Sequence, residues 1–440
     1  MLKKKYNANA DKIQELLTDH CKEVERSSKF VERRSKINGQ NFTQIMVFGC
    51  IKNPQSSLGD LVKLGSELEI EITIPGLDQR INKEAVSMLT EILQRSIQEL
   101  IGQDRLEIEL LKHFTAVFLL DSTQVALPDT MKDLFPGAGG DGPEASAKIQ
   151  LSYDYLRGIL GALRFTPGIE PDQNCELHLE QAHPGSLHLF DLGYFKQQVF
   201  AELDHKSSYF ISRFEHQTAL YTDEAEPIRV VLLDFLQKLK EDRFETCLQM
   251  GRLAHLPVRI LFQRLPFAVV EERRRKAIEQ MKDKGRKPSE TYLQLLEWQF
   301  FITNISTEWL SFDQILLLYR VRWQIELVFK LWKSQANLDG LGNWRVDRVL
   351  VHIYARLIGL VLFFALTAPF RWLSGAELSL PKAFVSFQDQ ILPILDSIRN
   401  GWVSFHLTLS RLAIQWRKFD LKTRRVAKPS TLDALNLSSS

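Results

Sequence analysis

The chain has 440 residues, 45% hydrophobic and 25% charged, with 56 Lys and Arg against 54 Asp and Glu for a net charge of +2. At ~150 residues per domain this length suggests about three domains, and so average a composition excludes a disordered, collagen-like or disulfide-scaffold protein. Cys21, Cys50, Cys175 and Cys247 stand far apart without zinc or redox spacing, and no signal peptide opens the sequence, so a reducing cytoplasm is expected.

A near-zero sum argues against a nucleic-acid partner, yet a sum hides distribution. Residues 1–37 carry ten Lys and Arg against six acids, residues 271–288 eight against four, and residues 401–440 seven against two. Three basic patches suit phosphate contacts along a duplex, although each also fits a solvated helix face. All eight tryptophans lie at or beyond Trp298.

In chain order, residues 10–50 read as helical, with a basic turn at Arg33-Arg34-Ser35-Lys36. A short helix begins at Ser56-Ser57-Leu58, and Pro75-Gly76-Leu77-Asp78-Gln79-Arg80 enters a second one running to about Leu100. Such a pair resembles a helix-turn-helix reader, with Arg80 as a DNA contact, and equally resembles two packed helices.

Phe114–Leu120 is an apolar run ending in Asp121-Ser122-Thr123, read as a buried strand. Ala147–Tyr155 and Leu160–Thr166 make the second and third strands, Asp172–Gln181 a helix, and Ser186–Phe190 a fourth strand ending in Asp191. A helix at Lys196–Leu203 and a fifth strand at Ser208–Phe214 follow. If the first and fourth strands are parallel neighbours, Asp121 and Asp191 face each other about 5 Å apart. The pattern then breaks until a strand at Trp298–Thr303 and a long helix from about Ser311. Between Asp191 and Glu326 there are about 95 residues more than a helix, a strand and their loops require, which predicts an inserted subdomain. Leu357–Phe370 is apolar but shorter than the ~20 residues needed to span a bilayer, and reads as a core helix; no membrane partner is expected.

Tyr319, Arg322, Glu326 and Lys333 recur at helical spacing. At ~100° per residue they fall in one line, with Trp323 and Lys330 beside it and Val321, Ile325, Val328, Phe329 and Trp332 on the adjoining apolar flank. Alone, this is a surface helix with charge pairs. After two strand-end acids, Glu326 is a third carboxylate, and three converging carboxylates repel unless cations sit among them. Two Mg²⁺ ions held by Asp121, Asp191 and Glu326 (Mn²⁺ as a possible substitute) would meet that need and clamp the oxygens of a phosphoryl transfer. Arg322 and Lys333 would hold DNA phosphates, with the Tyr319 hydroxyl donating a further hydrogen bond.

At these residues the chain resembles bacterial insertion-sequence transposases of the DDE class, specifically the insertion sequence four family. Their Y-(2)-R-(3)-E-(6)-K string is matched by Tyr319, Arg322, Glu326 and Lys333; Phe118-Leu119-Leu120-Asp121-Ser122-Thr123 and Asp191-Leu192-Gly193-Tyr194 match the surroundings of their first two acids. The resemblance runs from about residue 30 to 370. It implies an α/β, ribonuclease H-like mixed-sheet core with a mostly β insertion, a helical N-terminal DNA-binding domain and a helical C-terminal region. The expected domains are 1–105, 106–215, 216–296, 297–370 and 371–440. It further implies cut-and-paste transposition by metal-dependent strand cleavage, hairpin formation and strand transfer. The partners implied are the terminal inverted-repeat DNA of its own element, target DNA and a second copy in a homodimeric synaptic complex at the nucleoid. Trp298 and Trp323 match tryptophans near a flipped-out base in related enzymes, though Trp298, opening an apolar strand, also suits the core. The alternatives are an inactive or domesticated DNA-binding regulator and a structure-selective nuclease on the same core.

Gly137-Ala138-Gly139-Gly140-Asp141-Gly142 matches a dinucleotide fingerprint by letter but lacks the flanking strand and helix, so it reads as a turn. His178, His183 and His188 suit neither zinc nor a triad, and Asp129, Asp141, Asp154 and Asp172 read as loop or capping residues.

Overall fold

The computed structural model describes residues 2–32, 37–100, 108–139, 142–223, 225–370, 377–423 and 435. The architecture is mixed α/β, and the chain divides into two compact units. One comprises residues 1–107, 121–170 and 323–432; the other comprises 108–120, 171–322 and 433–440. Strand β1 (Ala116–Ala126) passes from the second unit into the first at Asp121. The basic turn at 33–36, the loop positions 140–141 and the basic residues 424–425 lie outside the described residues.

The first unit is built around the helix Val346–Thr367, which begins well before the apolar run read from the sequence. It is long and apolar enough to cross a membrane, but 89% of its most apolar window is buried inside the protein. Its partners include the helices Gly39–Lys52 and Lys83–Glu99. Gly359 permits the closest approach, since a Cβ there would stand 2.3 Å from Ile51 Cγ1. Each large apolar side chain buried in this way contributes about 1.5–3 kcal/mol. The C-terminal helices Leu380–Asp389, Ile391–Arg399 and Trp402–Phe419 belong to the same unit.

The N-terminal region departs from expectation at one point. The helix expected to run unbroken from Pro75 to Leu100 is two helices, Ile74–Arg80 and Lys83–Glu99. Asn82 separates them because its extended backbone (φ −140°) lets its side chain accept from Ala85 N at 3.0 Å, a cap that competes with helix continuation. Arg80, ending the first helix, donates to the Phe30 carbonyl at 2.9 Å and stacks over the Phe30 ring. In the same unit β2 (Ser146–Asp154) and β3 (Ile159–Pro167) form an antiparallel hairpin next to β1. Asp154, read from the sequence as a loop or capping residue, is instead the last residue of β2, buried and paired with Arg157 across the hairpin turn.

The second unit holds β4 (Ser186–Phe190), β5 (Tyr209–Arg213), β6 (Leu220–Tyr221), β7 (Arg229–Val230), β8 (Arg243–Met250), β9 (Leu256–Arg264) and β10 (Trp298–Thr303). Their order is β1-β4-β5-β10-β9-β8-β6-β7, with β1, β4 and β5 parallel and β10 antiparallel to both neighbours. Residues 172–181 form only a single 3₁₀ turn and the short helix Leu177–Gln181, because Cys175 between them is extended.

The stretch 216–296, expected as a mostly β insertion, is not mostly β. Its longest element is the 17-residue helix Phe267–Asp283, and its strands extend the unit's own sheet. The reason lies in the charges. Glu272 pairs with Arg275 and Lys276, and Arg275 with Glu279, spacings of three and four that support a helix and neutralise much of this basic patch internally.

His178 and His188 are buried around Phe190. Burial, then Lys196, pushes the His178 pKa down to about 4, and burial, then His178, His183 and Lys206, holds His188 well below the ordinary range. Both are neutral when folded, whereas the unfolded chain takes up protons near pH ~6.5. This contribution to stability is therefore complete above that pH and is lost as pH falls toward 4. The melting temperature should drop between neutrality and about pH 5, and less steeply in His178→Leu. That variant sacrifices no hydrogen bond, because among the described residues neither ring nitrogen of His178 has a partner.

Candidate active site

The two strand acids come first. The parallel β1–β4 ladder runs from Ala116↔Ser186 to Leu119↔Leu189, and each acid lies two residues further along its own chain. The apolar run predicts a strand ending at Asp121, but β1 continues to Ala126. Beyond Asp121, Thr123 and Val125 point inward and Gln124 and Ala126 outward, a period-two pattern that keeps the backbone extended. Asp121 is half-buried and accepts from Ser122 N at 2.8 Å. Asp191 is half-buried at the entry of the 3₁₀ turn Leu192–Tyr194, which its carbonyl closes by accepting from Tyr194 N.

The Y-R-E-K string is not on one unbroken helix. It spans Phe312–Val321 and Gln324–Ser334, with a tight turn at Arg322 and Trp323. Arg322 N bonds back to Tyr319 O and Glu326 N to Trp323 O, three residues each instead of four, so the spiral tightens locally. Val321 and Ile325 on either side are fully buried, as are Val328 and Trp332, while Phe329 is nearly so. The apolar flank expected from the spacing is therefore present despite the break.

In the second unit, Tyr319 lies with its ring against Phe301 and beneath the Arg213 guanidinium, and its hydroxyl donates to Asp191 Oδ1 at 3.4 Å. Burial raises its pKa to about 12, with Arg213 and Arg322 opposing and Asp191 reinforcing the shift. The hydroxyl therefore stays protonated at any physiological pH and remains a donor. Arg322 also hydrogen-bonds Tyr319.

In the first unit, Glu326 occupies the first turn of its helix, half-buried, where the helix dipole favours a carboxylate. Lys333, in the last turn, donates to the Gln124 carbonyl at 2.8 Å and lies 3.5 Å from Asp339. It thereby ties the Glu326 helix to β1 three residues past Asp121. Lys330 is exposed, and Trp323 is 55% exposed. Trp298 is only 4% exposed, its face covered by Arg264 at 4.7 Å, so its core role is met in this structure.

Three carboxylates are hard oxygen donors of the kind Mg²⁺ prefers, so the donor chemistry of Asp121, Asp191 and Glu326 fits that ion. Among the described residues no three His, Cys, Asp or Glu side chains are gathered as a metal-holding group. Two contributors escape sequence reasoning. Arg213 gives a faint signal as an arginine closing an apolar strand; the bond from Lys333 to Gln124 spans 209 residues and gives none.

A family model described as the transposase DDE domain matches residues 112–362. The transposase of insertion sequence element IS231F from Bacillus thuringiensis subsp. israelensis is 29% identical, covering 97% of this chain and 94% of its own. That of IS1151 from Clostridium perfringens is 26% identical, covering 94% and 92%. Among solved structures, a piggyBac transposase synaptic complex with hairpin DNA matches with a TM-score of 0.48 at 10% identity, covering 96% of this chain and 87% of that one. With the family match running from just before β1 into the long core helix, more than half of its length, the chain belongs to the transposase DDE-domain family, among the insertion-sequence transposases.

Proposed function

We propose that this DNA transposase moves its element by a cut-and-paste route, with Asp121, Asp191 and Glu326 as the catalytic carboxylates of a ribonuclease H-like core. The observation that carries the reading is the Tyr319 hydroxyl on Asp191: the first residue of the signature string reaches the second acid across 128 positions of chain. The run β1-β2-β3 followed by parallel β4 and β5 supports the core assignment. The three carboxylates would hold two Mg²⁺ ions, with Mn²⁺ as a substitute, which supply an activated water and neutralise charge developing at phosphorus. Tyr319 orients Asp191, while Arg322, Lys330 and Lys333 hold backbone phosphates of the terminal inverted repeat. Trp323, exposed at the helix break, stacks on an unpaired base; Trp298 does so only if Arg264 moves aside. Arg80, in the 1–105 region, contacts end DNA.

Strand cleavage, hairpin formation and strand transfer are each displacements at phosphorus, so positioning and charge neutralisation carry the catalysis without a covalent protein intermediate. Two copies pair the element's ends at the nucleoid, and target DNA accepts the freed 3′-OH. An in vitro reaction with end DNA, a target plasmid and Mg²⁺ tests this reading. Joined product is expected; cleavage without joining would indicate a nuclease, and a bound but intact end a regulator. Tyr319→Phe should lower cleavage roughly tenfold, the scale of one hydrogen bond to a charged group, without moving the pH profile between 6 and 9, because the hydroxyl does not titrate there. Unchanged cleavage in the single-turnover assay would remove Tyr319 from the positioning role.

A further inference from the structure

In the first unit, the loop joining the helices Gly39–Lys52 and Leu58–Glu67 walls a pocket of about 310 Å³. Part of its lining is apolar. Leu61 and Leu64 are buried there, and the helices close tightly: a Cβ at Gly49 would stand 2.3 Å from Leu61 Cδ2. Ser56, only 3% exposed, also lines the pocket, and its hydroxyl has no hydrogen-bond partner among the described residues. The loop is not slack. Ser56 N donates to the Asn53 carbonyl at 2.9 Å, the Pro54 carbonyl accepts from Arg356, and Ser57 caps the second helix.

The other polar groups on the lining divide unevenly. Asp60 is committed, accepting from Ser57 N at 2.9 Å and from Ser57 Oγ at 2.8 Å. Asn53 uses its side-chain oxygen to accept from Gln55 N at 3.0 Å, which leaves its amide nitrogen over. Lys63 makes no ion pair or hydrogen bond among the described residues, and Lys52 stands 3.9 Å from Glu67, beyond hydrogen-bond reach. What remains is chiefly donors, a hydroxyl, an amide and two ammonium groups against the single carboxylate of Glu67. A buried hydroxyl without a partner costs free energy that an acceptor would recover. Phosphate oxygens take several such donors at once, and the leucines suit an organic body. The volume lies at the small end of ligand pockets. A duplex backbone is convex, so its phosphates stay at the rim, whereas a small ester reaches Ser56. We propose that this pocket binds a small organic phosphate monoester, its phosphate on Ser56, Asn53 and Lys63 and its body on Leu61 and Leu64. None of these residues belongs to the catalytic assignment, so the proposal stands apart from it.

The test titrates phenyl phosphate into the full chain by calorimetry and thermal melting, with benzyl alcohol and inorganic phosphate alongside. Phenyl phosphate should bind and raise the melting temperature as the site fills. Benzyl alcohol should not, and inorganic phosphate should bind more weakly because it lacks the body. Ser56→Ala and Lys63→Gln should each weaken binding of phenyl phosphate roughly tenfold. Without ligand, Ser56→Ala should melt no lower than wild type, because the hydroxyl it removes is unpaired. No binding at millimolar probe, or binding that both variants leave unchanged, would overturn the proposal. An alanine variant melting well below wild type would show the hydroxyl already satisfied and would overturn it too. Equal affinity for inorganic phosphate would reassign the site to the free ion. Duplex DNA should not displace the probe; displacement that Ser56→Ala abolishes would make the occupant a DNA phosphate instead.

Discussion

Glu326→Gln is expected to abolish strand cleavage while leaving end binding intact. The substitution keeps the side chain's shape and its place in the first turn of the helix Gln324–Ser334, and removes only the charge. A neutral amide is a poor ligand for Mg²⁺ and no longer balances the ion. Loss of a single preorganised electrostatic donor already lowers rates by about 10²–10³, so cleavage should fall by at least that factor in a single-turnover assay. Binding should be unchanged or slightly tighter, since a carboxylate facing DNA repels phosphate. Gel-shift and cleavage measurements on the same preparation separate the two effects. Cleavage within a few-fold of wild type would mean that Glu326 is not the third acid. Asp121→Asn and Asp191→Asn should behave alike if the three carboxylates act as one unit, since losses within a unit do not add.

Much of this architecture is legible in the amino-acid order itself. Strands β2 to β5 and β10 announce themselves as apolar or alternating runs, and the string from Tyr319 to Lys333 lies in one stretch where helical spacing can be read. The break at Arg322 and Trp323 is not legible, because both residues keep right-handed helical dihedrals and only the hydrogen-bond spacing changes. The helix in the insertion is hidden by its charges, which look like a basic patch until their spacing of three and four is considered. The discontinuous units are hidden for a different reason. Val346–Thr367 gathers helices from both ends of the chain, as when Asn9 donates to the Ala365 carbonyl, and local pattern carries no trace of such contacts.

The same long helix supports the second large effect, at Arg356. This arginine is fully buried, yet among the described residues it has no carboxylate partner; it donates to the carbonyls of Asn337 at 2.6 Å, Pro54 and Gly340. Burial holds its pKa below the ordinary arginine range, with Cys50 opposing. Asn337 carries a positive φ of 47°, and with Gly340 it belongs to the turn that follows the Glu326 helix. Arg356 thus anchors the exit of that helix to the core and to the loop at Pro54. Arg356→Ala would leave three carbonyls without their donor and open a cavity, costing about 3 kcal/mol or more. Arg356→Met would refill much of the volume but supply no donors, so the gap between the two variants in urea melts separates packing from hydrogen bonding. The alanine variant should melt lowest and the methionine variant between it and wild type. Methionine matching wild type would show that volume alone holds the turn. His352 gives an independent readout. Burial first and the Arg356 charge second push its pKa down to about 3, so removing that charge should raise it in either variant, observable by proton titration of the imidazole.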